Sequence, residues 1–171
     1  MSNSPNRSFE EIKKADLVRL IDVATECLES MLARTATGQF YGSDRILMAC
    51  LCQGAAQHFV HGDCGVQDFD VVFFFATNPK WKFPPRWRGT RDFGKSKFGR
   101  NADDGPRYLG RRVDVLGRDI PVADKMSPKD AIVAYLQTRR TATAKFWSLR
   151  PVVALTPAKM LGQVIWKGSP R

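Results

Sequence analysis

The sequence is poor in what a secreted, disulfide-built or membrane-spanning chain requires. It has only four cysteines, Cys27, Cys50, Cys52 and Cys64, too few and too irregular for a disulfide scaffold and without the paired C-x-x-C knuckles of structural zinc. They read as reduced and mostly buried. No apolar run approaches the ~20 residues of a membrane helix, so no membrane partner is expected. The opening Met1-Ser2-Asn3-Ser4-Pro5 lacks the basic-then-apolar pattern of a secretory leader, which makes a cytoplasmic location the expectation. Histidine is scarce as well. His58, His61 and Cys64 recur every third residue, yet Gly62 and Gly65 interrupt the continuous helix that would make them converge on a metal. Internal repeats and low-complexity tracts are missing. Acidic residues are outnumbered, 17 against 27 Lys and Arg, for a formal charge of +10. That imbalance favours an anionic partner such as RNA, DNA or a nucleotide and says nothing about fold. Nothing in the sequence fixes an oligomeric state.

What is present suffices for a packed interior, since 43% of the residues are hydrophobic and 11% aromatic. A length of 171 residues falls in the range of one domain, roughly 100–200 residues, so residues 1–171 are expected to share a single core. Ser8 followed by Glu11 forms a capping-box pattern, after which Leu17, Leu20, Ile21, Ala24, Leu28 and Leu32 recur at helical spacing up to Gly38. The apolar run from Ile46 to Cys52 reads as a buried strand stopped at Gly54, with a short helix from Ala55 to about Val60. Val66 to Phe75 is the most strand-like stretch, rich in β-branched and aromatic residues. Arg112 to Leu116 reads as a short strand, and Ile120-Pro121-Val122 as the start of a separate edge segment. Ser127-Pro128 and Thr156-Pro157 each carry the start signal of a helix.

Chemistry is concentrated in the aspartates. Asp68 and Asp70 are two apart, and side chains alternate along a strand, so both carboxylates project from one face. Two such charges at the head of an apolar strand repel each other and resist desolvation, and a cation is the natural compensation. Oxygen ligands of this kind suit Mg²⁺ or Mn²⁺, commonly together with substrate phosphates. Asp114, between Val113 and Val115, repeats the pattern and offers a third ligand. Upstream, Gly54 lets a phosphate approach the backbone where a helix begins and its N–H groups are unpaired.

Gly54-Ala55, then Asp68-Phe69-Asp70-Val71, then Val113-Asp114-Val115 resemble the signature of the nucleotidyltransferase superfamily, the polymerase-beta-like fold, over about residues 46–116. The resemblance implies an α/β (α+β) domain with a small mixed sheet flanked by helices, and a basic aromatic insertion at about 78–112. It implies metal-dependent transfer of a nucleoside monophosphate from an NTP donor to a hydroxyl on a nucleic acid, protein or small molecule. Asp68, Asp70 and Asp114 would hold Mg²⁺ or Mn²⁺, Asp114 would help deprotonate the acceptor, and Gly54 and Ala55 would seat the triphosphate. Ala55 stands where the family usually has Ser or Gly, and Gln53 where it usually has an apolar residue. The alternative is therefore a noncatalytic nucleic-acid-binding protein on the same fold. An ordinary structural role for the acids, with Asp70 paired to Arg111 or Arg112, is the third way to read them.

Gly89-Thr90-Arg91-Asp92-Phe93-Gly94-Lys95-Ser96 matches the phosphate-binding P-loop letter for letter. A working P-loop follows a buried strand and opens a helix, and Phe83-Pro84-Pro85 before it and Lys97-Phe98-Gly99 after it supply neither. The same region has a different promise. Lys80, Lys82, Arg86, Arg88, Arg91, Lys95, Lys97 and Arg100 alternate with Trp81, Phe83, Trp87, Phe93 and Phe98. It reads equally as a surface that attracts phosphates and stacks bases, or as a solvated basic loop whose rings pack on the sheet.

Overall fold

The computed structural model describes residues 6–169. Strand β1 (Ile46–Cys52) leads directly into helix α2 (Gln53–His61), and strand β2 (Phe69–Ala76) returns antiparallel to β1. Strand β4 (Arg112–Ile120) lies parallel to β2, in a register that sets Asp70 opposite Asp114. Strands β3 (Arg88–Asp92), β5 (Val152–Ala154) and β6 (Val164–Trp166) complete a six-stranded mixed sheet in the order β3-β4-β2-β1-β5-β6. Helices α1 (Lys14–Arg34), α3 (Pro128–Thr138) and α4 (Ala142–Trp147) join α2 in covering it. The result is a mixed α/β fold with a mixed sheet flanked by helices, as the sequence suggests. None of the described helices is long and apolar enough to cross a membrane.

Alternation along β2 divides the interior in two. Phe69, Val71, Phe73 and Phe75 pack with Leu17, Leu20 and Ala24 of α1 and with Ala55 and Ala56 of α2, whereas Val72 and Phe74 pack with Ile132 and Leu136 of α3 and Trp147 of α4. A strand buried on both faces has no polar side, which explains the unbroken apolar run after Asp70. By the same period of two, Asp70 shares a face with Val72 and Phe74, and Asp114 with Leu116.

Several boundaries differ from expectation. The first helix starts at Lys14, where the Asp16 carboxylate accepts from the Lys13 N–H at 2.7 Å. Ser8 does not cap it, because its backbone is engaged in a bridge with Val66 at 2.9 and 2.7 Å. Residues 112–120 form one strand, since β2 offers a parallel partner along the whole length. Gly117 is needed inside it because a Cβ there would come within 2.4 Å of the Trp87 ring. Thr156-Pro157 precedes a single 3-10 turn, Ala158–Met160. The signal at Ser127 holds, with its Oγ accepting from Asp130 N at 3.1 Å.

The insertion contains no hairpin of its own. Its strand β3 pairs antiparallel with β4 at the sheet edge. Phe83, Trp87, Phe93 and Phe98 are all buried in the first core. The loop beyond β3 is organised by Asp92, which accepts from the N–H groups of Gly94, Leu109 and Gly110 at 2.8, 2.6 and 2.9 Å.

Candidate active-site cleft

The apolar strands β1 and β2 and the start of α2 bring Gln53 and Gly54 next to Asp68 and Asp70 across a cleft of about 220 Å³. Asp68 lies just before β2 and Asp70 within it, both partly exposed, while Asp114 on β4 is only 5% exposed. The three acids predicted from spacing thus share one end of the β2–β4 pair. The arginine partner considered for Asp70, Arg112, serves the other acids instead. Its guanidinium reaches Asp68 at 3.0 Å, Asp114 at 3.2 Å and Asp104 at 3.2 Å, and Arg88 lies 3.6 Å from Asp114.

Asp70 enters none of the ion pairs formed among the described residues. Burial, and then the neighbouring Asp68 and Asp114 carboxylates, push its pKa up from 3.8 to about 7. Burial also raises Asp114, against the pull of Arg112 and Arg88. One Asp114 oxygen, Oδ1, is buried and held by ion-pair contacts alone, 3.2 Å from Arg112 Nε and 3.6 Å from Arg88 Nη2. An excess of carboxylate over cation is the donor chemistry of a hard divalent ion. Among the described residues no three His, Cys, Asp or Glu side chains already form a metal cage. In this arrangement Arg112 supplies the positive charge between Asp68 and Asp114, and a divalent ion would compete with it.

The other end of the cleft is cationic. Arg7 and Arg150 line it, and their Nη1 atoms come within 4.0 and 3.5 Å of where a Cβ on Gly54 would stand. Arg7 is held there by donating to Cys64 O at 3.0 Å and Gln67 Oε1 at 3.3 Å. At the start of α2, Cys52 provides no side-chain cap, leaving the first helical N–H groups free to meet an anion. Gln53 stands at φ 58, in the left-handed region, and its Nε2 is buried without a partner among the described residues. A strained residue with an unpaired donor at a cleft wall is a functional signature. Ala55 is 1% exposed and packs in the first core, so its backbone N–H is what it can offer a ligand. A larger neighbouring cavity of about 410 Å³, between His61, Lys167 and the shared Arg150, contains no carboxylate.

Other sequence candidates fall elsewhere. His58 is buried, with Nδ1 accepting from Gly65 N at 3.1 Å and Nε2 3.1 Å from Glu10 O. Both ring nitrogens are thereby engaged with backbone and neither is free for a metal. The P-loop letters belong to β3 and a turn, with no helix after them. Gly89 is required because α1 passes over it, where a Cβ would lie 2.6 Å from Met31 Sδ, and Gly94 occupies a φ of 80 beside Gly110. Lys80, Lys82, Arg86, Arg88, Lys95, Lys97 and Arg100 remain exposed, although Lys97 also pairs with Asp16 at 2.8 Å. Four of the interleaved rings, Phe83, Trp87, Phe93 and Phe98, are buried, and Trp81 stacks on Phe40 at 4.6 Å. The charges are therefore presented to solvent while the rings support the fold.

Comparison with protein-family models, with curated proteins and with solved structures returns no match for this chain.

Proposed function

We propose that the cleft is a nucleotidyl-transfer site, in which the triphosphate of an NTP lies between Gly54 and the aspartates. The observation that carries this reading is the convergence of opposite charges across one cleft, Asp68 and Asp70 facing a glycine turn flanked by Arg7 and Arg150, with Asp114 in register beside Asp70 on β4. Arg7, Arg150, the Gln53 amide and the N–H groups at the start of α2 hold the distal phosphates. Asp68, Asp70 and Asp114 are the ligands for Mg²⁺ or Mn²⁺. Bound there, the ion would stabilise charge on the attacking and leaving oxygens. An acceptor hydroxyl oxygen forms a bond to the α-phosphorus, the bond from that phosphorus to the bridging oxygen breaks, and pyrophosphate leaves. The Asp114 carboxylate, made more basic by burial, takes the hydroxyl proton. The test is release of pyrophosphate from each NTP with Mn²⁺ in the presence of RNA, protein or small-alcohol acceptors. Metal-dependent release by wild type and none by Asp70→Asn is the expected result, and release unaffected by that change would overturn it.

One observation favours a second reading, a noncatalytic nucleic-acid-binding protein. Arg112 already neutralises Asp68 and Asp114, and Lys80, Lys82, Lys95 and Arg100 are exposed. Salt-dependent RNA or DNA binding with no NTP consumption under any acceptor would select it.

A further inference from the structure

The cleft has a continuation beyond Phe146. This ring, 55% exposed, lines the acidic cleft and also a separate cavity of about 350 Å³. The walls of that cavity include Trp87, Leu116 and Trp147, with Arg86 and Arg118 supplying positive charge and no acid among them. Arg118 is oriented by donating from Nη2 to Thr143 Oγ1 at 2.9 Å, which leaves its Nε without a partner among the described residues. The exposed Phe146 ring and Trp147, with the Arg118 guanidinium beside them, match a flat ring bearing ring nitrogens or carbonyl oxygens.

Position along the sheet gives that cavity its relation to the acids. Asp114, Leu116 and Arg118 face the same way on β4, and a rise of about 3.3 Å per residue sets Arg118 roughly 13 Å beyond Asp114. A phosphate at the aspartates would thus have a nucleoside directed over Phe146 toward Trp147 and Arg118. We propose that this cavity receives the base of the donor nucleotide, stacked on Phe146 and hydrogen-bonded toward Arg118. The inference rests on the nucleotidyl-transfer reading of the acidic cleft and adds the part of the substrate that the cleft does not explain.

The experiment titrates the full chain with ATP and with inorganic tripolyphosphate, each with Mn²⁺, by calorimetry and by tryptophan fluorescence. Wild type, Phe146→Ala and Ala142→Trp are compared, the last because Ala142 is exposed at the cavity mouth and an indole there fills the space. Wild type should bind ATP at least about tenfold more tightly than tripolyphosphate, the lower range of what stacking on one aromatic ring contributes. ATP alone should quench the tryptophans. Both variants should lose the preference for ATP and retain tripolyphosphate binding, which also shows that they are folded. Preference for ATP retained in both variants, or equal affinity of wild type for both ligands, overturns the base site while leaving the cleft reading intact. Equal weakening of both ligands in the variants also overturns it. Failure of wild type to bind either ligand removes the cleft reading and the base site together.

Discussion

Asp70 and Asp114 stand opposite each other on the parallel strands β2 and β4, and the arginines nearby serve them unequally, since Arg112 and Arg88 approach Asp114 while Asp70 forms no ion pair among the described residues. Asp70 therefore carries the electrostatic load of the cluster, and its pKa near 7 reflects burial first and the two neighbouring carboxylates second.

Asp70→Asn should keep the fold, because the amide retains the size of the carboxyl and the Val71-to-Phe75 packing is untouched. Metal-free stability at pH 8 should rise by roughly 1–3 kcal/mol, the relief of one repelled charge discounted for partial exposure. Mn²⁺ should raise the urea midpoint of wild type and leave that of the variant unchanged. Equal metal responses, or a variant that is merely unfolded, would remove Asp70 from the metal set.

Stability should also depend on pH through this residue. Between its ordinary 3.8 and about 7 the native protein binds more protons at Asp70 than the unfolded chain does. The contribution of Asp70 to stability therefore falls as pH rises through that window and levels off above it. Denaturation from pH 5 to 8 should show the advantage of Asp70→Asn over wild type growing toward pH 7. A difference independent of pH would contradict the raised pKa.

Arg112→Ala should destabilise the protein by about 2–3 kcal/mol, because it strips Asp68, Asp104 and Asp114 of their shared cation and Arg112 is itself only partly buried. Mn²⁺ should restore part of that loss if the acids take up a divalent ion in its place. Thermal unfolding with and without Mn²⁺ measures both effects. A variant as stable as wild type, or one that Mn²⁺ does not rescue, would count against cation competition at this cluster.

Replacing Lys95, Lys97 and Arg100 together should weaken RNA or DNA binding and flatten its salt dependence, by close to one unit of slope for each phosphate that the variant no longer neutralises. The broken Lys97–Asp16 pair should cost under about 1 kcal/mol of stability. Lys95→Ala alone should leave NTP affinity intact, since β3 and its turn form no P-loop. Filter binding across a salt series and NTP titration test the two statements separately. Unchanged polyanion affinity, or a large drop in NTP binding in Lys95→Ala, would reverse the corresponding assignment.

Much of the local structure was legible in the sequence because it repeats at short range. The run from Ile46 to Cys52 forms β1 with those same bounds, and Ser127-Pro128 starts α3 as its capping chemistry requires. Asp68 and Asp70 do line one cleft, yet not through the strand period that suggested it, because Asp68 lies just before β2. Elements without such a signal were missed: β5 and β6 are three residues each, too short for alternation to register, and α4 is a six-residue helix with little room for a helical period.

The sequence by itself determined where acids and apolar runs lie along the chain. Only the tertiary structure decided which of them meet. Parallel pairing of β2 with β4 set Asp114 against Asp70, and the antiparallel seat of β3 on β4 turned a basic insertion into a sheet edge with buried rings. Arg7 and Arg150 come from opposite ends of the chain to Gly54, and Arg112 turns back among three aspartates. Periodicity is a property of neighbouring residues, whereas these encounters depend on strand order and register. Those are settled when distant apolar faces bury against one another.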